Sequence, residues 1–320
     1  MVTISVCMIV KNEHDRLEGC LESLKTIADE IIVVDTGSTD DTMEIAGRYT
    51  DKIYEFKWTG SFADARNYSF SLAKCDYIYQ ADADELLDDA NIEKFRQLKI
   101  AMLPEIDIVQ MYYCNQLENN TIYNFDRELR PKLYKRLREF VWEESIHEAV
   151  RLKPMIYDSD IDIIHRPGAG HELRDLAAFE RETKGNVILS DRLNDIYAKE
   201  LYISGPDESF IRAREYFNRL ADSENMSNER LTQVFAVCAK AARLSGDDKD
   251  FLKYSLRAAA GNLMCSEICC EIALFMEDKG DMNEAAMWYY NAANETEPAM
   301  NLKYGNEIPE AGLKRLQEQY

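Results

Sequence analysis

The amino-terminal part of the chain alternates apolar runs of strand length with amphipathic segments of helix length. The alternation begins at residue 4 and continues to about residue 82. It predicts βαβ units with a parallel sheet, because antiparallel strands would be joined by short turns instead. The predicted strands are Ile4–Val10, Glu30–Asp35, Lys52–Phe56 and Asp76–Gln80, and the predicted helices are Glu13–Ile27, Asp41–Tyr49 and Ser61–Ala73.

Acidic and amide residues stand where three of these predicted strands finish. Asn12 and Glu13 come after the first strand, Asp35 ends the second, and Asp82 and Asp84 come after the fourth. Ligands of α/β sheets bind beyond the carboxyl ends of the strands. We therefore expect these residues to line a ligand site. For Asp35, the alternative to a contact with a ribose or a base edge is a cap of the turn that follows it.

The pair formed by Asp82 and Asp84 has the clearest chemistry. If the segment is extended, residues two apart point to the same side, and both carboxylates face one site. Two hard oxygen ligands suit Mn²⁺ or Mg²⁺, which would bridge to the two phosphates of a nucleotide. The alternative is a chance occurrence, because Asp-x-Asp is frequent in acidic chains.

The charge of the chain limits its partners. With 38 basic and 59 acidic residues, the net charge is −21. Such a chain repels phosphate, which argues against nucleic-acid binding and requires a local cation wherever a nucleotide binds. Neither GxGxxG nor GxxxxGK[ST] follows the first strand, so neither a dinucleotide-binding fold nor a P-loop enzyme fits.

The pattern becomes mixed between residues 86 and 166. The motif Pro167-Gly168-Ala169-Gly170 is the clearest break in the chain. We place the domain boundary there, with one domain over 1–170 and an all-helical one over 171–320. The strands predicted before the break are Ile106–Asn115, Thr121–Phe125, Lys132–Arg136, Phe140–Trp142, His147–Leu152 and Ile161–His165.

The carboxy-terminal half contains a repeated signal. Two Gly-Asp turns lie 34 residues apart, with aromatic and small residues at matching offsets, as in the tetratricopeptide repeat. A looser copy runs from residue 193 to residue 223, and an irregular helical bundle is the alternative. The matched pairs are Gly246 and Gly280, Asp247 and Asp281, Tyr254 and Trp288, and Ala258 and Ala292.

Four motifs together resemble family 2 glycosyltransferases of the GT-A fold. This resemblance implies an α/β nucleotide-sugar-binding domain with a mixed central sheet, followed by the helical repeat domain. It also implies that Asn12, Glu13 and Asp35 line a uridine pocket. Arg66 would position the nucleotide sugar, and Asp82 and Asp84 would hold Mn²⁺ or Mg²⁺. The motifs are Ser5-Val6-Cys7-Met8-Ile9-Val10-Lys11-Asn12-Glu13, Val33-Val34-Asp35-Thr36-Gly37-Ser38-Thr39-Asp40, Ala65-Arg66-Asn67 and Asp82-Ala83-Asp84-Glu85.

A further segment is similar to one branch of that family. Trp142 and Ser145-Ile146-His147-Glu148 resemble the W…HE segment of the branch that includes lipopolysaccharide-core glucosyltransferases. Through this resemblance Glu148 is our candidate for the base that deprotonates the acceptor. Glu143 and Glu144 are rivals, and a surface salt bridge is the alternative for each. No QxxRW segment is present, which disfavours a processive polysaccharide synthase.

Other polar residues are secondary candidates. His165 is a third metal ligand or simply packs at the end of a strand. Arg130, Arg136 and Arg166 are candidates for phosphate contacts, because guanidinium groups match phosphate geometry. The alternative for each is an ordinary surface arginine. The eight scattered cysteines are expected to be free buried thiols.

The helical tail is similar to that of sublancin-type peptide glycosyltransferases. We therefore expect a metal-dependent inverting enzyme that moves glucose or N-acetylglucosamine from a UDP-sugar to a peptide or protein. The alternatives are a glycan or lipid-linked acceptor and a non-catalytic repeat scaffold. A nucleotidyltransferase is disfavoured, because no basic glycine-rich loop follows the first strand. The short apolar runs predict a cytoplasmic protein without a membrane span. The helical domain would bind a peptide or form a homodimer.

Overall fold

The computed structural model describes residues 1–115, 126–138, 142–143, 149–151, 153–166, 171–185, 187–223 and 226–318. These residues form two compact units. The first contains the described residues up to 166, and the second contains those from 171 onward.

The first unit is an α/β structure with one large mixed sheet. Its described helices are α1 (Leu17–Leu24), α2 (Thr42–Ala46), α3 (Phe62–Leu72) and α4 (Asp89–Ala101). Its described strands are β1 (Ile4–Val10), β2 (Glu30–Asp35), β3 (Ile53–Glu55), β4 (Tyr77–Ala81), β5 (Glu85–Leu86), β6 (Ile108–Cys114), β7 (Arg127–Lys135), β8 (Trp142–Glu143), β9 (Ala149–Val150) and β10 (Ile156–His165). In the large sheet the strand order is β3-β2-β1-β4-β7-β6-β10-β5, while β8 pairs with β9.

The first half of the sheet is parallel, as the sequence predicts. Strand β1 pairs in parallel with β2 and with β4, and Val10 lies beside Asp35 at the carboxyl end. Ile4, Val6 and Met8 are fully buried in β1. A continuous apolar run of this kind is typical of a central strand with both faces covered.

The second half of the sheet mixes directions, and this arrangement determines where the site lies. Strand β7 is antiparallel to β4 and β6, β10 is parallel to β6, and β5 is antiparallel to β10. The carboxyl ends of β1, β2, β4, β6 and β10 therefore meet at one edge, together with the starts of β5 and β7. We call this edge the carboxyl edge and the opposite one the amino edge.

Strand prediction succeeded where residues are buried and failed where they are polar. The bounds of β1 and β2 are those predicted, whereas β7 and β10 begin five residues earlier than expected. The early part of β7 is charged and contains Pro131, where the pairing with β6 shifts register. Helix α4 was missed because its sequence is largely polar. The strand predicted at Thr121–Phe125 lies outside the described residues.

The second unit is helical throughout its described elements. A 3₁₀ turn, Leu302–Gly305, precedes the last helix. The helices are α5 (His171–Glu182), α6 (Asp191–Ser204), α7 (Asp207–Ala221), α8 (Asn228–Leu244), α9 (Asp248–Ala260), α10 (Ser266–Asp278), α11 (Met282–Asn294) and α12 (Glu307–Gln317).

The two Gly-Asp turns of this unit have the same local structure. Gly246 and Gly280 have φ angles of +68° and +82°, which favour glycine. Asp247 caps α9 by accepting from the Asp250 amide, and Asp281 caps α11 in the same way from Glu284. At the matched interior positions Ala258 and Ala292 are both fully buried, and Tyr254 is buried while Trp288 is only partly so. The buried aromatic ring of α11 is Tyr289 instead.

Candidate active site

The segment that carries the two aspartates is a tight turn. Strand β4 ends at Ala81, and the Glu85 amide donates to the Asp82 carbonyl at 3.1 Å. Ala83 and Asp84 therefore occupy the central positions of a β-turn. The expectation of an extended segment is wrong, because the chain reverses here to enter β5.

Strand pairing brings His165 to Asp84. At the carboxyl edge the Glu85 and His165 backbones pair in antiparallel register, and the Arg166 amide donates to the Asp84 carbonyl at 2.8 Å. As a result, Nε2 of His165 lies 3.4 Å from Oδ2 of Asp84, with 11% and 15% of the two side chains exposed. The His165 ring packs on Tyr113, with ring centroids 4.7 Å apart. His165 therefore packs at the end of its strand and also contacts Asp84.

Asp82 faces different partners. Its Oδ2 accepts from Nε2 of Gln80 at 2.9 Å, and its Oδ1 lies 3.5 Å from Nη2 of Arg66 on α3. The side chain is 39% exposed, which leaves it open to a ligand at the carboxyl edge. The structure therefore brings Asp84 together with His165, and Asp82 together with Arg66.

These contacts bear on how a divalent cation would fit. Among the described residues, no three His, Cys, Asp or Glu side chains are grouped so as to hold a metal ion. Asp84 and His165 nevertheless match two neighbouring ligands of one ion, which lie about 3 Å apart when metal–ligand bonds are about 2.1 Å. A cation that takes its remaining ligands from substrate phosphates and water needs only one or two protein carboxylates. The residues present fit an ion bound in that way.

A buried ion pair lies under the turn. Nζ of Lys132, on β7, donates to both carboxylate oxygens of Glu85 at 2.7 and 2.8 Å, and both side chains are at most 3% exposed. Burial raises the pKa of Glu85 to about 7, against the opposing effect of Lys132. This pair was not predicted from the sequence. The available signal was a carboxylate directly after the Asp-x-Asp pattern, whereas the lysine lies in a strand with several other charged residues and gave no signal of its own.

The loops that follow β1 and β2 are tied together by side chains. Asp35 is buried and accepts from the Gly37 and Ser38 amides at 3.1 Å, so it caps its own turn. Asn12 has a φ of +54°, and its Oδ1 accepts from the Thr39 amide at 2.8 Å. These bonds hold the Asn12 and Asp35 loops side by side at the carboxyl edge.

Glu13 is fixed by the same pair of loops. Its amide donates to Oγ1 of Thr42 at 2.8 Å, and its carboxylate lies 3.4 Å from Nη1 of Arg16. Only 13% of its side chain is exposed. Glu13 therefore braces the turn between β1 and α1.

The three arginines that are candidates for phosphate contacts lie at different edges of the sheet. Arg130 lies in the first half of β7, with its guanidinium 4.1 Å from the centre of the Tyr113 ring, and Arg166 follows His165. Both are at the carboxyl edge. Arg136 instead donates from Nε to the Cys75 carbonyl at 2.6 Å, before the start of β4. Arg136 is therefore at the amino edge, and the expectation of a phosphate contact there is wrong.

Most of the residues that form this site lie in a part of the chain that matches a known protein family. The sequence profile described as "Glycosyl transferase family 2" matches residues 5–160, which include every element of the carboxyl edge described above except the end of β10. Residues 5–160 belong to glycosyltransferase family 2. The α/β fold with a mixed sheet followed by helices, implied by the resemblance of the four motifs, is confirmed.

Curated relatives match parts of the chain. A TPR repeat-containing protein of Synechococcus elongatus is 44% identical over 27% of the chain, and an uncharacterized glycosyltransferase of Rickettsia felis is 41% identical over 27%. The glycosyltransferase SunS of Bacillus subtilis is 30% identical over 50% of the chain. The chain spans only 22%, 30% and 36% of these three proteins, respectively.

The chain is also similar to a solved structure. Glucosyl-3-phosphoglycerate synthase from Mycobacterium tuberculosis, in complex with Mn²⁺ and UDP-glucose, is 16% identical and has a TM-score of 0.41. That comparison covers 57% of this chain and 77% of the synthase.

The candidate bases of the family 2 domain are not placed. Glu144 and Glu148 lie outside the described residues, as do Ser145, Ile146 and His147. Glu143 belongs to β8, and only its backbone is described.

Among the described helices, none has both the length and the apolar character needed to cross a bilayer.

Proposed function

We propose that the chain is a metal-dependent inverting glycosyltransferase that moves a hexose, glucose or N-acetylglucosamine, from a UDP-sugar to a peptide or protein. Residues 1–170 would form the catalytic domain, and residues 171–320 a tetratricopeptide-like domain for acceptor recognition or dimerisation. The observation that carries the proposal is the pair formed by Asp84 and His165 at the carboxyl edge of a family 2 domain.

Asp84 and His165 would hold Mn²⁺ or Mg²⁺. When bound, the ion supplies Lewis-acid stabilisation of the diphosphate that leaves the sugar. The side chain of Asp82 is open to a ligand at the carboxyl edge, and Gln80 and Arg66 orient it. In so acidic a chain, this cation and Arg66 are the local positive charges that allow a diphosphate to bind.

The nucleoside end of the donor would lie against the loops after β1 and β2. Asp35 uses its carboxylate to bond its own turn, which gives the loop a fixed shape. Asn12 joins that loop to β1, so the two loops form one wall. We infer that this wall, together with Glu13, takes the uridine, and that fixed loops lower the entropy lost on binding.

Transfer needs a base on the acceptor side. Glu148 would accept the proton of the acceptor hydroxyl or thiol as that group attacks the anomeric carbon. As the new bond forms, the bond from the anomeric carbon to the diphosphate oxygen breaks, and its electron pair leaves with UDP. The peptide acceptor is supported by the resemblance of the helical tail to sublancin-type enzymes.

Donor turnover tests the proposal. The purified chain, incubated with Mn²⁺ and a panel of UDP-glucose, UDP-N-acetylglucosamine and GDP-mannose, should release UDP from one UDP-hexose. The same reaction in EDTA is the control and should show no release above background. If no nucleotide sugar is turned over and none shifts the melting temperature, the proposed function is wrong.

The Glu148→Gln variant tests the assignment of the base. We expect it to lower UDP release by about 10²–10⁴-fold, because general-base catalysis contributes about that much. Donor binding, measured by calorimetry, should be unchanged. Glu143→Gln and Glu144→Gln are the matched comparisons. Normal turnover in Glu148→Gln would reject this residue, and a loss confined to one of the other variants would move the role there.

A further inference from the structure

The Asp82–Glu85 turn is held from below by one buried side chain. Oε2 of Glu85 accepts from the Asp82 amide at 3.3 Å, while the Glu85 amide donates to the Asp82 carbonyl at 3.1 Å. Glu85 thus bonds both backbone polar groups of Asp82, one through its side chain and one through its backbone. Sγ of Cys20, on α1, donates to the same carbonyl at 3.3 Å.

The carboxylate of Glu85 is itself fixed by Lys132. Both of its oxygens accept from Nζ of that lysine, and Oε2 is shared between the lysine and the Asp82 amide. A buried carboxylate with two bonds from one cation cannot rotate without losing charge-assisted hydrogen bonds. The position of the turn is therefore linked to the middle of β7, where Lys132 is anchored.

This linkage extends to the residues that meet across β5 and β10. Glu85 is the residue of β5 that pairs with His165, and Asp84 is joined to Arg166 through its carbonyl. If the Glu85 side chain loses its partners, the Asp82 amide loses its bond and the turn keeps only its backbone bonds and the bond from Cys20, so it can shift. A shift of the turn changes the distance between Asp84 and His165.

The same domain contains a second pair of a buried glutamate and a lysine, which serves as a comparison. Glu30, at the start of β2, is paired with Lys52 at 2.7 Å, and its Oε2 accepts from the Lys74 amide at 2.9 Å. Only 4% of the Glu30 side chain is exposed. Like Glu85, Glu30 is a buried carboxylate bonded to a lysine and to a backbone amide, but Lys52 is 41% exposed and the pair lies at the amino edge, away from Asp84.

We propose that Glu85 and Lys132 are positioning residues that set the spacing between Asp84 and His165, and so the strength with which the domain binds its divalent cation. The inference rests on the proposed function, because it concerns the same site. In this proposal the Glu85 and Lys132 pair affects the affinity for the divalent cation, whereas the Glu30 and Lys52 pair affects only the stability of the domain. Replacing a residue that holds a metal-binding side chain in place commonly changes the affinity for the metal by about 10–100-fold.

Calorimetry of UDP binding, in Mn²⁺ and in EDTA, separates these roles. The UDP dissociation constant in EDTA divided by the one in Mn²⁺ gives the factor by which manganese strengthens UDP binding, which we call the manganese enhancement. Each protein is measured well below its melting temperature. We expect Glu85→Gln to reduce this enhancement by about tenfold or more, with UDP affinity in EDTA within about twofold of wild type. The matched Glu30→Gln variant should keep the wild-type enhancement even where it lowers the melting temperature.

A second variant guards against a folding defect. Glu85→Gln with Lys132→Met removes both charges, so no buried charge is left without a partner, and such replacements are often tolerated. It should show the same reduced enhancement as Glu85→Gln. An unchanged enhancement in a folded Glu85 variant, or an equal loss in Glu30→Gln, would overturn the inference alone. A wild-type protein without any manganese enhancement would overturn the proposed function and this inference together.

Discussion

Replacing Asp84 with asparagine should lower UDP release by about 10³-fold or more. The amide keeps the size of the side chain but loses the charge that would bind the cation beside His165. Lewis-acid stabilisation of the leaving diphosphate is worth several kcal/mol, and each 1.36 kcal/mol is a factor of ten in rate. Single-turnover measurements with saturating donor and Mn²⁺ would give the rate of the chemical step directly.

Asp76 provides the matched control for this experiment. It lies just before β4, at the amino edge, and accepts from the amide and hydroxyl of Thr3 at 2.9 and 2.8 Å. Asp76→Asn therefore makes the same chemical change at the other end of the same strand, and it should leave turnover near wild type. If Asp84→Asn retains turnover while its fold is intact, the cation is not held by this residue.

Replacing Lys132 with methionine should destabilise the catalytic domain by about 3–5 kcal/mol at pH 8. The change leaves the Glu85 carboxyl buried with no cation beside it, and breaking buried pairs in this way typically costs about that much. Hydrogen exchange of the β4 and β6 amides reports on this domain without a contribution from the helical unit. A loss below about 1 kcal/mol would show that the pair contributes little.

The effect of Lys132→Met should depend on pH in a defined direction. Burial raises the pKa of Glu85 from the ordinary glutamate value of 4.5 to about 7 in the folded chain, where Lys132 opposes the rise. Without Lys132 the pKa of this carboxyl rises further, so the folded state binds a proton that the unfolded state releases above its ordinary pKa. Stability of the variant should therefore recover as the pH falls from 8 toward 5. Adding Glu85→Gln should restore much of the stability at pH 8 and remove this pH dependence.

The parallel half of the domain could be predicted from sequence because its information is local. Runs such as Ile4–Val10 and Glu30–Asp35 are apolar enough to specify buried strands, and both ends were placed correctly. The position of Asp35 and Asp82 at the carboxyl edge followed from strand direction alone. The family resemblance added the expected mixed sheet, which the periodicity of the later residues does not specify.

The contacts within the site could not be predicted, because they depend on pairing between distant strands. His165 meets Asp84 only because β10 lies beside β5, 80 positions earlier in the chain. The turn at Asp82–Glu85 also changed the direction of the two carboxylates relative to an extended segment. The expected phosphate contact of Arg136 was wrong for the same reason, because the direction of β7 determines at which edge of the sheet Arg136 lies.

A crystal structure with Mn²⁺ and UDP, with the ion located by anomalous scattering, would show whether Asp84 and His165 together hold the cation. We expect one manganese peak within coordination distance of Oδ2 of Asp84 and Nε2 of His165, with the diphosphate of UDP completing its shell. A structure in which UDP is bound while manganese lies away from both side chains would refute this assignment.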